Sequence, residues 1–138
     1  AIGHSLVWIS ISIIWSSEVT PWAIFLIFFW PIADTFLAIT RRLSKGRPVS
    51  QPDRLHFHQL VLRACEILVL GRRKRKIANP LATIIVLPLA LAPMCAGIFF
   101  ATNRNDALLA VLFFGLFFIF TYKLGITIAR KRGSWRIF

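Results

Sequence analysis

The residues able to do chemistry crowd into one stretch of the chain. Between Thr40 and Ala78 lie Pro52-Asp53-Arg54-Leu55-His56-Phe57-His58-Gln59 and, further on, Arg72-Arg73-Lys74-Arg75-Lys76. Two imidazoles and a guanidinium offer hydrogen-bond donors suited to phosphate oxygens, the guanidinium as a planar fork. A diphosphate-bearing ligand brought to this stretch would match them. The carboxylates within reach are Asp53, Glu66 and, upstream, Asp34.

His56 and His58 also invite a metal reading, which the spacing discourages. Residues two apart on a helix diverge by about 200°, so the pair could share an ion only in an extended stretch. No third or fourth ligand of the right kind lies nearby, Cys65 being poorly placed, and zinc is not expected. The run Arg72 to Lys76 lacks patterning and reads as an anchor that sets topology and meets anionic lipid.

The element that must position these residues is a helix. Ser50-Gln51-Pro52-Asp53 has the form of a capping box and predicts a helix from about Pro52 to Leu70. Phe57, Leu60, Val61, Ala64, Ile67 and Leu68 recur at three- and four-residue steps, giving one apolar face. Asp53, His56, Gln59 and Arg63 project within an arc of about 120° on the other side. That stripe would look into the cytoplasm or into a groove at the membrane surface. The same pattern fits an amphipathic helix that merely lies on a membrane with its polar face in water.

The rest of the chain decides where this stretch sits. Of 138 residues 57% are hydrophobic and 14% aromatic, with a mean hydropathy of +0.71. That is more than a soluble domain of this size can hide in one core, so the composition implies a membrane protein. A net charge of +12 would alone suggest nucleic acid. The cations cluster at the ends of apolar runs, however, which fits loops facing anionic lipid, and no nucleic-acid partner is expected. Cys65 and Cys95 fall in different contexts and read as small buried apolar residues rather than a disulfide.

The fold class expected is all-α, a polytopic membrane protein with four spans at about 2–16, 21–39, 81–101 and 107–129. A basic cytoplasmic loop, 40–78, carries the amphipathic helix. The first apolar run, Ile2 to Trp15, reaches only about 20–25 Å as a helix and reads as the end of a span. Ser5, Ser10 and Ser12 can return hydrogen bonds to the backbone or to a neighbouring helix. Pro21 suits the first turn of the second helix and Pro31 should kink it. Asp34 follows within a span, where an ionisable group is costly unless it faces water or a partner, and this marks it as a functional candidate. Its plainer alternative is a pairing with Arg41 or a reach to interfacial water. Asn79-Pro80 signals a turn or helix start, and Pro88 and Pro93 lie in an apolar run where neighbours can satisfy the freed carbonyls.

Of 17 Lys and Arg, eleven lie between Thr40 and Ala78, five from Lys123 onward and one, Arg104, in the short connections. The positive-inside rule then places the N-terminus, the central segment and the C-terminus in the cytoplasm. The first residues, Ala1-Ile2-Gly3-His4, carry neither an initiator methionine nor a signal-peptide n-region. The expectation is a single membrane domain over 1–138, cut from the C-terminal part of a longer chain.

Pro31-Ile32-Ala33-Asp34-Thr35, then Arg41-Arg42-Leu43, Lys45-Gly46-Arg47 and Pro52 to Gln59, resemble the C-terminal half of the polyprenyl-phosphate sugar-1-phosphate transferases. These are the bacterial undecaprenyl-phosphate N-acetylglucosamine-1-phosphate transferases and their phospho-N-acetylmuramoyl-pentapeptide relatives, glycosyltransferase family 4. The specific part of the resemblance runs from about Pro31 to Arg63. It implies an enzyme of the bacterial inner membrane that moves a sugar 1-phosphate, expected to be of an N-acetylhexosamine, from a UDP-sugar to polyprenyl phosphate, releasing UMP. It implies Mg²⁺ at the cytoplasmic face. The family's His-x-His-His loop is associated with the nucleotide-sugar diphosphate, a role that carries over to His56 and His58, while Gln59 stands where the third histidine would be. Arg54 joins these contacts; Asp53, Asp34 and Arg63 support them. The family's adjacent-aspartate motif and further metal-binding aspartates are expected upstream of Ala1, so no metal ligand and no catalytic residue is assigned here. The 138 residues alone are expected to be inactive.

The partners expected are a UDP-sugar, polyprenyl phosphate and anionic membrane lipids, and a homodimer is left open. The competing reading is a membrane anchor or scaffold whose basic loop binds anionic lipid or a partner. A transporter is weakened because only Asp34 is an ionisable group well inside a span.

Overall fold

The computed structural model describes residues 2–44, 46, 56–70 and 75–131. Every regular element among them is helical. In order they are α1 (Ile2–Ser16), α2 (Pro21–Ile27), α3 (Phe29–Leu43), α4 (Phe57–Cys65) with a π-helical turn (Glu66–Leu70), α5 (Arg75–Phe99) and α6 (Arg104–Lys131). The proposed cap at Ser50 and the residues Asp53 and Arg54 lie outside the described residues.

Two helices are long and apolar enough to cross a bilayer, Ile77–Phe99 and Arg104–Ile128. At 1.5 Å per residue each exceeds the roughly 30 Å of hydrocarbon that a span must cover. Their outward side chains, among them Ile84, Leu87, Leu109, Leu112, Leu116 and Phe120, are exposed and apolar. Such a surface suits lipid rather than water. The chain is thus a helical membrane protein whose described residues include two apolar spans, or three if α2 and α3 together make one broken span. Four spans, the number expected from the sequence, are more than this: α1 has 15 residues and buries none of them. Ser10 behaves as anticipated, its hydroxyl donating to the Leu6 carbonyl at 2.8 Å.

The second apolar run does not form one helix over 21–39. It breaks at Phe28, and α2 and α3 meet at 77°. Pro31 accounts for the position. Lacking an N–H, it leaves the Ile27 carbonyl without its usual donor, so the disruption falls one turn before the proline. The bonds on either side survive, Phe28 N–H to Ile24 and Ile32 N–H to Phe28, both at 3.3 Å. The bend re-aims α3 and with it Asp34 and Arg41.

α2 begins where the sequence placed it. Pro21 occupies the first turn and the Thr20 hydroxyl accepts from Ala23 N–H at 3.3 Å. Thr20 N–H in turn donates to the Ala101 carbonyl at 2.8 Å, tying α2 to the α5–α6 turn. α5 starts earlier than Asn79-Pro80 suggested and runs through Pro80, Pro88 and Pro93. α6 opens on a reciprocal cap. Asn103 accepts from Asp106 N–H at 3.3 Å, and its side-chain amide donates to the Asp106 carboxylate at 2.6 Å.

α2 and α4 both lie against α5 and α6. α2 approaches α5 at Gly97, where a β-carbon would sit 2.7 Å from the Ala23 carbonyl oxygen and 3.0 Å from the Leu26 β-carbon. Neither atom can swing aside, since one is backbone and the other is attached to it. Gly97→Ala is therefore expected to lower the melting temperature in detergent. Overpacking costs about 1–3 kcal/mol, against which the better helix propensity of alanine returns about 1 kcal/mol. Gly125→Ala is the control, because its β-carbon would meet Leu60 at an ordinary 3.6 Å.

Candidate functional site

The core that holds the site is aromatic. Phe29, Phe57, Leu60, Phe118 and Tyr122 are buried together, with Trp30, Ala33 and Leu37 packed around them. Phe57, the first residue of α4, is stacked on Phe118 with ring centroids 5.2 Å apart and meets the edge of Trp30 at 4.8 Å. Trp30 also meets Phe118 at 5.2 Å. The start of α4 is thereby wedged between α3 and α6.

One face of α3 carries Trp30, Ala33, Asp34, Leu37 and Arg41 at three- and four-residue steps, the spacing that aligns side chains on a helix. The two polar members of this face each reach another element. One oxygen of Asp34 accepts from the backbone N–H of Phe57 at 3.0 Å, and the other lies 2.8 Å from Nδ1 of His56. Two turns further along, Arg41 Nη1 donates to the hydroxyl of Tyr122 on α6 at 2.6 Å. Asp34 therefore pairs with His56 and not with Arg41.

This geometry explains where α4 begins. The sequence places the start near Pro52, whereas the structure has His56 extended at the N-cap position, φ −61° and ψ 149°. Its carbonyl accepts from Gln59 and Leu60 N–H, and its side chain does not cap the helix. The cap comes from Asp34, 23 residues earlier in sequence. A carboxylate at a helix N-terminus satisfies an orphan N–H and faces the positive end of the helix dipole. The helix also ends early as an α-helix, at Cys65, and passes into the π-helical turn.

The site residues inferred from the sequence are brought together only in part. Asp34 and His56 form the pair, with 21% and 45% of their side chains exposed. His58 is exposed and Gln59 and Arg63 are half-buried. Among the described residues none of these three hydrogen-bonds to the pair. The polar stripe inferred from helical projection thus loses His56, which precedes the helix. Tyr122 is the residue the sequence did not single out; a lone tyrosine in an apolar run is its only signal.

No three His, Cys, Asp or Glu side chains among the described residues converge on a point where a metal could sit. Both oxygens of Asp34 are already engaged. The described residues therefore do not make a Mg²⁺ site.

On another side of α4, between it and helices α5 and α6, lies a groove of about 250 Å³. Its walls include Phe57, Val61, Leu68, Ile85 and Leu124. The hydroxyl of Thr121 at its edge turns back to the Phe117 and Phe118 carbonyls at 2.9 and 3.0 Å. Cys65 also lines the groove, and burial pushes its thiol up from the ordinary range. That disfavours the thiolate, so Cys65 is not an activated nucleophile. Cys95 is exposed, contrary to its reading as a buried residue, and both cysteines are free thiols.

No family model matches the chain, and no solved structure matches it significantly. A curated protein does. Over 107 residues, 78% of this chain, it is 31% identical to the undecaprenyl-phosphate alpha-N-acetylglucosaminyl 1-phosphate transferase of Haemophilus influenzae, 25% of which is covered. The resemblance read from the residues between Pro31 and Arg63 is thus borne out: the chain is a sequence relative of the polyprenyl-phosphate sugar-1-phosphate transferases and spans about a quarter of the length of the curated protein it matches.

Proposed function

We propose that this chain forms part of a membrane phosphoglycosyl transferase that moves a sugar 1-phosphate, expected to be of an N-acetylhexosamine, from a UDP-sugar to polyprenyl phosphate. In that reaction an oxygen of the acceptor phosphate bonds to the phosphorus that carries the sugar, and the bond to the bridging oxygen breaks to release UMP. The observation that carries this reading is the hold of Asp34 on His56 at the start of α4. A costly carboxylate beside a membrane span is spent on orienting a partly exposed imidazole, which is what a binding site needs and a passive anchor does not.

In this reading His56, His58 and Arg54 contact the donor diphosphate, and Gln59 contacts it or supports the loop. Asp34, Asp53 and Arg63 support them. Mg²⁺, when bound, would neutralise charge on the diphosphate, through ligands other than the described residues of this chain. The apolar groove beside Phe57 suits hydrocarbon and not phosphate. The membrane would be the bacterial inner membrane, with the N-terminus, the segment 40–78 and the C-terminus cytoplasmic and Arg72 to Lys76 against anionic lipid.

The test is His56→Ala in the full-length protein, read as UDP-sugar-dependent labelling of polyprenyl phosphate. Hydrogen bonds to charged groups contribute about 1.5–3 kcal/mol, so labelling is expected to fall tenfold or more. Unchanged turnover would remove His56 from the site. The anchor reading predicts a different pattern, in which replacing both histidines by Gln is silent and neutralising Arg72 to Lys76 abolishes binding to anionic vesicles.

A further inference from the structure

We propose that Asp34 is a positioning residue that locks His56 in its Nδ1–H tautomer, so that the ring donates to an anionic oxygen only through a proton gained at Nε2. The inference rests on the phosphate-contacting role assigned to His56 and concerns which ring atom performs it. An ionised carboxylate only accepts hydrogen bonds. The 2.8 Å contact between Asp34 and Nδ1 therefore requires the proton on Nδ1. The carboxylate cannot turn away, because its other oxygen holds Phe57 N–H at 3.0 Å. Nor can the backbone beneath the imidazole shift, with Phe57 wedged between Trp30 and Phe118.

Among the described residues the ring makes no second hydrogen bond, and 45% of the side chain is exposed. Nε2 is thus the atom left for a ligand. In the neutral ring it is a lone-pair acceptor and repels a phosphate oxygen. Protonated, it becomes a donor. The ionisable groups on the elements packed against this point include Arg41 and Arg42 on α3, His58, Arg63 and Cys65 on α4, Glu66 in the turn that follows, and Arg104, Asp106, Tyr122 and Lys123 on α6. None of them hydrogen-bonds to the ring. Binding of a diphosphate is then coupled to uptake of one proton.

Asp34→Asn separates this lock from a merely structural role. The asparagine carbonyl still accepts from Phe57 N–H, and asparagine is as good an N-cap as aspartate. Its NH₂, however, donates to Nδ1 and moves the ring proton to Nε2. The measurements are ¹⁵N spectra of histidine-labelled full-length protein in lipid discs, with His56 assigned by its loss in His56→Gln, and binding of UDP-N-acetylglucosamine as a function of pH. The diphosphate of that probe does not itself titrate between about pH 5.5 and 8.5.

The expected result is an Nδ1–H ring in the free wild-type protein that becomes protonated at both nitrogens with the probe bound. Affinity then falls by up to tenfold per pH unit as pH rises. In Asp34→Asn the free ring is Nε2–H and the pH dependence is flattened. A wild-type ring found as Nε2–H, or a tautomer unmoved by Asp34→Asn, overturns the lock. A locked tautomer with pH-independent binding overturns its coupling to the ligand. If the wild-type protein does not bind the probe, the assignment of the donor diphosphate to His56 falls, while the spectra still decide whether Asp34 fixes the ring.

Discussion

Phe57→Ala is expected to release the start of α4 and raise the rate at which a maleimide labels Cys65 by at least about 100-fold. The side chain is 3% exposed and lies between two aromatic rings, at 4.8 Å from Trp30 and 5.2 Å from Phe118. Truncating a buried phenylalanine to alanine costs about 3–5 kcal/mol, and each 1.4 kcal/mol is about a tenfold change in the population of an open state. The cost falls locally, because Phe57 is the first residue of a helix of only nine residues. Cys65, buried on the same helix, reports the release. In the closed state it is both covered and disfavoured as a thiolate. The measurement uses full-length protein in which Cys65 is the one remaining cysteine. A labelling rate unchanged by the substitution would show that the aromatic wedge does not hold α4.

How far the sequence reveals this site can be followed residue by residue. Asp34 is marked by chemistry alone, since an ionisable group in an apolar run must have a partner. His56 is marked by its neighbours. What the sequence does not reveal is that the two meet, because 22 residues separate them and neither helical nor strand periodicity links positions on different elements. The same gap misplaces the start of α4. The bond that starts α4 at Phe57 comes from Asp34 on another helix, and no local pattern reports such a tertiary contact. The break near Pro31 is legible because the missing N–H is a property of the residue itself. Its displacement to Phe28 follows from which carbonyl loses its donor. The long spans α5 and α6 are legible from hydropathy, but α1 is not settled that way, since a 15-residue apolar helix fits several settings equally.

Asp34→Leu should loosen α4 from its polar side, raising Cys65 labelling by about 10- to 50-fold, less than Phe57→Ala. Leucine keeps the bulk of the side chain and removes both acceptors. Loss of an N-cap costs about 0.5–2 kcal/mol, and a partly buried N–H without a partner about 1–3 kcal/mol. These describe overlapping parts of one effect at Phe57 N–H, so about 1.5–2.5 kcal/mol is expected rather than their sum. Water reaching the partly exposed pair would relieve some of it. Two comparisons sharpen the result. Asp34→Asn keeps the acceptor for Phe57 N–H and should leave Cys65 protected, even though it moves the proton on His56. His56→Gln should also leave Cys65 protected, since the backbone bond from Phe57 does not involve the imidazole. If all three substitutions exposed Cys65 alike, the contact between Asp34 and His56 and not the helix cap would be what holds α4. If none did, the aromatic wedge alone would suffice and Asp34 would act on the histidine only. The pattern expected, leucine loose and asparagine and glutamine tight, separates the two tasks of one carboxylate: one oxygen starts the helix and the other orients the ring.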